Sequence, residues 1–234
     1  MSSDITLYWG SGSVPCWRPM ICLEEKGLSG YNSKLVSFEK KEHKSDEIMK
    51  INPRGQVPTF KHGDVVVNES MAICLYLENT FKNQGTKLLP DDPSQQALVL
   101  QRFMETQNIM DKNNALVYYK FRTKQEDWDQ ARTFLIPCGF IAEKSKALAE
   151  ELPLWEKYLS QSGEGSFIAG KDFTLADAAL IPALAYLVRM KLPMKERFPH
   201  LASYYERMKD RPSVQSGWPP HWKDTPGYDY LKDV

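Results

Sequence analysis

The segment WGSGSVPCWRP, residues 9–19, brings two hydroxyls, Ser11 and Ser13, and one thiol, Cys16, into a short run of small residues. Ser13-x-x-Cys16 has the spacing of a Cys-x-x-Cys redox pair that lacks its first sulfur. On these residues alone three readings stay open: a disabled redox pair, a different chemistry on the same turn, or a loop joining a strand to a helix. Three further segments place polar groups where a ligand would use them. In GQVPTF, Pro58 cannot donate to a strand ladder. A cis Val57–Pro58 bond would turn the Val57 N–H and C=O outward, free to pair with an extended peptide; the alternative is an ordinary trans proline at an edge. In VVVNESMAI, Glu69 and Ser70 open a helix, whose free N–H groups and positive dipole end suit a carboxylate. Ser70 adds a hydroxyl donor and Glu69 a partner for an amine, so the two would hold the head of an amino acid, or simply cap the helix. Thr174-x-x-Asp177 has a capping-box pattern and reads as the start of a core helix, with no catalytic part.

The elements that must position these groups follow from periodicity. ITLYW reads as a buried strand, PMICLEEKGL as a helix stopped by Gly27, YNSKLVSF as a second strand and KSDEIMKIN as a short helix. QVPTF and VVV read as two strands joined by a tight turn, and NESMAICLYLENTF as a helix with Asn68 as its N-cap. The order β-α-β-α-β-β-α predicts a mixed sheet covered by helices, an α/β domain over 1–83. KNQGTKLLPDDPSQQ breaks the rhythm and marks a linker over 84–92. From residue 93 to 234 no strand pattern remains. Helical spacing runs through Leu98, Phe103 and Ile109, then from Ala131 to Leu152 with an interruption near Pro137 and Gly139. Further helices are expected at Leu154–Ser160, Leu175–Met190 and Leu201–Lys209. Pro182 predicts a kink or a later start in the Leu175 helix. The tail WPPHWKDTPGYDYLKDV reads as an extended segment laid over the surface.

Composition narrows the function. Thirty Lys+Arg balance thirty Asp+Glu, so the chain lacks the basic surface that nucleic acid requires. Nothing approaches a membrane span, and the start MSSDITLYWG lacks a signal peptide's basic and apolar regions; both predict a cytoplasmic protein. The four cysteines, at 16, 22, 74 and 138, have no paired metal-ligand spacing and read as free thiols.

Ser13 before the first helix, Val57-Pro58 opening the third strand, Glu69-Ser70 opening the last helix and an all-helical second part together resemble the cytosolic glutathione S-transferases. NPRGQVPTF, NESMAICLYLE and FIAGKDFTLADAALIPAL carry the resemblance, which spans nearly the whole chain. It is similar to the serine-type branch near theta and zeta, and YWGSGSVPCWRPM with the aromatic tail is most similar to the rho class. The resemblance implies a thioredoxin-like N-terminal domain that binds glutathione as co-substrate, with no further cofactor and no metal. It also implies a cis Pro58, a homodimer, and hydrophobic electrophiles as second substrates. Position by position, Val57 would pair with the cysteinyl backbone of glutathione, Glu69 and Ser70 would grip its γ-glutamyl end, and His43, Lys44 and Gln56 would lie near its glycyl carboxylate. Gly55 stands where delta-type members carry a histidine, so that side chain's contacts are absent. Trp9, Met110, Tyr118, Tyr119, Phe121, Trp218 and Trp222 are the expected wall of the electrophile pocket, though their spacing is equally that of core packing.

The implied chemistry is thiolate attack. A free thiol has a pKa near ~8.5, and lowering it by about two units, worth roughly 2.7 kcal/mol, ionises most of it at neutral pH. One or two hydrogen bonds to the charged sulfur, at about 1.5–3 kcal/mol each, meet that need. A serine hydroxyl therefore suffices without acting as a base. Serine-type relatives place this hydroxyl three residues before the position of Cys16, which selects Ser13; Ser11 is the alternative because GSGS is flexible. Arg18 reads as support for the fold or for local electrostatics. Competing functions are a glutathione-dependent oxidoreductase using Cys16, a zeta-like isomerase and a ligand-binding member without activity.

Overall fold

The computed structural model of the chain describes residues 4–122 and 140–234, with side chains at all of these except 118, 119, 121, 122, 140 and 141. Strand β1, Ile5–Trp9, is central, and its apolar alternation buries Ile5 and Leu7 completely. It pairs in parallel with β2, Asn32–Leu35, and antiparallel with β3, Thr59–His62, which pairs with β4, Val65–Val67. The sheet order is β2-β1-β3-β4. Helices α1, Val14–Glu25, and α3, Ser70–Thr80, pack against each other on one side of it. The short α2, Asp46–Met49, buries Ile48 with Tyr8 and Val36 on the other. The α/β expectation therefore holds, with a thioredoxin-like arrangement of sheet and helices.

Register explains how the site is gathered. Tyr8 lies opposite Thr59, so continuing the pairing brings Gly10 beside Val57. Phe60 lies opposite Val67, so the start of α3 follows at that same end of the sheet. Trp9 lies beside Leu35 in the parallel pair, so the loop carrying His43 and Lys44 leaves there too. All the expected glutathione-binding segments thus emerge from one end of the sheet.

The second part is helical among the described residues. Helix α4 is Pro93–Arg122, α5 Phe140–Ser162, α6 Leu175–Arg189, α7 Met194–Arg197, α8 Pro199–Lys209 and α9 Pro212–Ser216. The expected start of a helix at Ala131, the break near Pro137 and Gly139, and Cys138 lie outside the described residues. No helix among the described residues is long and apolar enough to cross a membrane.

Several expectations require correction. The first helix begins at Val14, five residues before Pro19, because Pro15 sits in the first turn, where its missing N–H has no partner to lose. Asn68 does not cap α3: its amide donates to the Ile51 carbonyl at 2.9 Å, and Glu69 takes the N-cap position. Residues 154–160 are not a separate helix. Leu148, Leu152, Trp155 and Leu159 form one buried stripe, which carries α5 straight through Pro153. Likewise α6 begins at Leu175 and passes through Pro182, since every residue from Leu175 to Ala185 is buried and tertiary packing outweighs local propensity. The tail is not simply extended: Pro220–Trp222 forms a 3₁₀ turn, and Leu231 and Val234 are buried.

Helix α1 joins the two parts. Glu25 at its end accepts two hydrogen bonds from the Arg211 guanidinium, at 2.6 and 2.9 Å, and one from the Ser213 hydroxyl. Burial pushes the Glu25 carboxyl up, but Arg211, Ser213 and Thr86 together hold it below the usual carboxylate range. The next residue, Lys26, pairs with Glu78 of α3, both fully or almost fully buried. Gly85 lies so close that a Cβ there would fall 2.2 Å from the Glu25 carbonyl.

The Thr174–Asp177 capping box is present. Asp177, fully buried, accepts the backbone N–H groups of Ile168 (3.0 Å) and Thr174 (2.9 Å) and the hydroxyls of Thr174 (3.0 Å) and Tyr204 (2.8 Å). Alanine here strands several buried donors, at about 1–3 kcal/mol each. Asp177→Ala is expected to lower stability by about 3–5 kcal/mol in urea unfolding, against less than about 0.5 kcal/mol for Asp172→Ala on the exposed part of the same loop.

Candidate functional site

The turn after β1 is built on two glycines. Gly12 has φ +82, and the Ser13 N–H bonds the Gly10 carbonyl at 3.1 Å. Gly10 is needed for space as well: a Cβ there would lie 2.3 Å from the Phe38 ring. Ser13 stands at the N-cap of α1 with an extended backbone, and its hydroxyl does not cap the helix. Burial pushes the Cys16 thiol up to about 12, against the opposing hydrogen bonds from Ser13 and the Gly10 backbone. Cys16 is 1% exposed, a protonated packing residue. Ser11 points elsewhere: its Oγ lies 2.6 Å from His221 Nδ1, in the C-terminal tail.

Across the cleft, the Val57–Pro58 bond is cis. Val57 is half-buried and Gln56 exposed, and the Val57 backbone makes no hydrogen bond among the described residues. Asn52 organises this loop. It is 1% exposed, its amide donates to the Gln56 carbonyl and Thr59 hydroxyl, both at 2.9 Å, and its oxygen accepts the Arg54 N–H. Gly55 has φ +53, and the space a side chain would take there holds Lys44, whose Cδ would lie 2.6 Å from a Cβ and whose ammonium donates to the Arg54 carbonyl at 2.7 Å. His43 is half-buried against Phe38, with ring centroids 5.4 Å apart. The Lys44 side chain thus fills the space beside Gly55.

Glu69 is exposed and Ser70 buried at the start of α3. Ser70 Oγ accepts a hydrogen bond from Arg18 Nη1 at 3.3 Å. Arg18 is 1% exposed, and among the described residues its Nε and Nη2 have no hydrogen-bond partner. Burial lowers its pKa to about 10, opposed by Cys74 and Asp111, so it stays charged at neutral pH. A buried cation beneath two helix N-termini favours anions above them.

The expected electrophile wall is only partly assembled. Trp218 and Trp222 pack edge-on to Trp17, at 5.1 and 5.8 Å, and line a cavity of about 300 Å³ with Val188, Arg189 and Tyr205. Trp9 packs on the core and donates to Ser33 at 2.8 Å. Met110, 4% exposed, lies in the interhelical core rather than on a cavity wall, because its side of α4 faces the neighbouring helices. Tyr118, Tyr119 and Phe121 fall on α4, and their side chains lie outside the described residues. A larger cavity, about 470 Å³, lies between Thr86–Pro90 and Phe167–Thr174, away from every expected site residue. Sequence reasoning missed Asn52 and His221. Asn52 was visible in NPRGQVPTF as a buried-loop amide before a proline; nothing in the sequence places His221 on the β1–α1 turn.

A thioredoxin-like domain with a cis-proline loop beside a serine turn, followed by a helical domain, is the architecture of a two-domain thioredoxin-fold protein. The matching family models are "Glutathione S-transferase, N-terminal domain" over residues 3–79 and "Glutathione S-transferase, C-terminal domain" over 140–212. Glutathione S-transferase A of Pleuronectes platessa is 51% identical over the full length of both chains. A glutathione S-transferase crystal structure from the Antarctic clam Laternula elliptica is 43% identical, covers 99% of each chain and superposes with a TM-score of 0.86. A delta-class glutathione transferase of Nilaparvata lugens is 26% identical, with a TM-score of 0.73 over 94% of this chain and 92% of its own. The chain belongs to the glutathione S-transferase family, and it is a glutathione transferase.

Burial of Cys16, Cys22 and Cys74 has a direct consequence. Iodoacetamide at neutral pH is expected to leave all three unmodified in the folded protein and to label them after urea unfolding, as read by peptide mass spectrometry. Rapid native labelling of Cys16 would restore the redox reading.

Proposed function

We propose that the protein conjugates glutathione to hydrophobic electrophiles by a serine mechanism in which the Ser13 hydroxyl donates to the glutathione sulfur. The observation that carries this is the position of Ser13. Its hydroxyl is at the N-cap of α1 without capping the helix, while the Ser11 hydroxyl is engaged by His221. On binding, the cysteinyl backbone of glutathione pairs with the free N–H and C=O of Val57. The γ-glutamyl carboxylate takes the N–H groups at the start of α3 and the Ser70 hydroxyl, with Arg18 beneath, and Glu69 takes its amine. Lys44, with His43 and Gln56, takes the glycyl carboxylate.

The thiol proton leaves to solvent, and the sulfur pair stays on the thiolate. Ser13 and the α1 dipole favour the charged form by about 1.5–3 and 0.3–1 kcal/mol respectively, enough for the required shift. The thiolate then attacks the electrophile, forming the S–C bond as the leaving group departs or the acceptor takes up a proton. No cofactor and no metal enters the scheme. The redox alternative weakens with Cys16, since its buried thiol supplies no nucleophile.

The electrophile is assigned to the cavity that Trp218 and Trp222 line with Val188, Arg189 and Tyr205. The same reading takes 1–83 as the glutathione domain, 84–92 as its linker and 93–234 as the helical domain. It takes the protein as a cytoplasmic homodimer of the rho type, supported by the family and by the similarity to the two animal relatives named first above.

Ser13→Ala is expected to lower kcat/KM for an aryl halide by about 10–100-fold, with KM for glutathione changed less than about threefold. Full activity in that variant, with loss in Ser11→Ala, would move the role to Ser11.

A further inference from the structure

The Gly10–Ser13 turn carries two hydroxyls two residues apart on a backbone that two glycines leave free to shift. Something must decide which hydroxyl meets the thiol. The tail reaches the turn at this point. His221 Nδ1 lies 2.6 Å from Ser11 Oγ, across 210 residues of sequence. A Cβ at Gly12 would fall 3.0 Å from His221 Cε1 and 3.5 Å from Trp222 Nε1, so the tail packs on the turn and not merely near it.

His221 is itself held in place. Trp222 sits edge-on to Trp17 and Trp218, at 5.8 and 6.0 Å, with the Arg189 guanidinium 4.9 Å from its ring centre. Arg189 also donates to the carbonyls of Trp222 (3.4 Å), Thr225 (3.1 Å) and Pro226 (3.1 Å) and to the Thr225 hydroxyl (2.7 Å). The Thr225 hydroxyl donates to the His221 carbonyl. A side chain delivered by an aromatic cluster and a five-donor guanidinium has little freedom to sample other partners. Partial burial pushes the His221 imidazole below its ordinary value, with Arg189 adding to the effect, so the ring is neutral at pH 7. With its proton on Nε2 the neutral ring accepts from the Ser11 hydroxyl; with it on Nδ1 it donates to Ser11 Oγ, and either form ties the tail to the turn.

We infer that His221 is a positioning residue for the transferase reaction, engaging the Ser11 hydroxyl and pinning the 10–13 turn so that Ser13 faces the thiol. This rests on the reading of Ser13 as the thiol's hydrogen-bond donor. His221 touches neither substrate nor the reacting atoms; it acts through Ser11. In this protein the C-terminal tail, from the helical domain, thereby supports a glutathione site whose own groups come from the first eighty residues.

The test is a double-mutant cycle on the full-length enzyme with Ser13 intact. Ser11→Ala and His221→Ala are each expected to lower kcat/KM by about 3–10-fold, and the double variant to be no worse than either. Each also raises the pKa of bound glutathione, read from its ultraviolet thiolate band against pH. His221→Asn, whose amide can accept or donate from nearly the same place as Nδ1, is expected to recover most of the loss. Losses that multiply in the double variant, or a Ser11→Ala enzyme indistinguishable from wild type, overturn the inference. So does a His221→Asn enzyme as impaired as His221→Ala, which would mean that the ring only docks the tail. Activity retained in Ser13→Ala would instead remove the underlying mechanism, whatever the cycle shows.

Discussion

Helix α1 is the member on which the rest depends, because it ends in two different places at once. Its N-terminus carries the serine turn, where the proposed mechanism seats the thiol, and its C-terminus joins the first domain to the helical part. At that joint Glu25 grips Arg211 and Ser213 of the helical part, while Lys26 pairs with Glu78 of α3. Breaking a buried pair by removing one partner typically costs about 3–5 kcal/mol, since the other charge is left without compensation. The joint is therefore stiff, and stiffness is what the site needs. Twelve residues of helix, about 18 Å, carry the fixed geometry of the joint to the turn, so the tail of one domain meets the serine turn of the other in register.

The electrostatics of the site follow from the same helix. Arg18 is placed by α1 beneath the start of α3, where it has Ser70 as a neutral partner and, among the described residues, no carboxylate in hydrogen-bond contact. A guanidinium that is buried without a paired anion is costly for the empty protein. In the proposed binding mode the γ-glutamyl carboxylate of glutathione offsets that cost from above. Cys16 shows the opposite logic on the same turn. It is buried beside the groups that favour a thiolate, yet burial dominates and keeps it protonated. In the proposed mechanism the sulfur that ionises is the one glutathione brings.

Much of this was legible in the sequence, and what was not has a common cause. The element order β-α-β-α-β-β-α followed from strand and helix patterns and turn chemistry; GQVPTF and the Glu69–Ser70 helix start were visible as local motifs, while the cis bond at Pro58 followed only from the family resemblance. Local signals failed where packing overrode them: Pro19, Pro153 and Pro182 all lie inside helices because buried stripes continue through them. Asn68 looked like a cap and became a cross-link to Ile51, since only the folded chain brings that carbonyl within reach. Arg18 was read as support for the fold or for local electrostatics, and the structure places it under Ser70. His221 was invisible, because its partner lies 210 residues away and no periodicity couples a proline-rich tail to a glycine turn. Short-range chemistry reads from sequence; contacts delivered by a second domain do not.

The account turns on where the glutathione sulfur sits. The most direct measurement is a crystal structure of the protein with glutathione bound. The account predicts the sulfur within hydrogen-bond reach of Ser13 Oγ, the cysteinyl N–H and C=O paired with Val57, and Ser11 still bonded to His221. A sulfur seated on Ser11, with His221 displaced, or joined to Cys16 as a mixed disulfide, would contradict it.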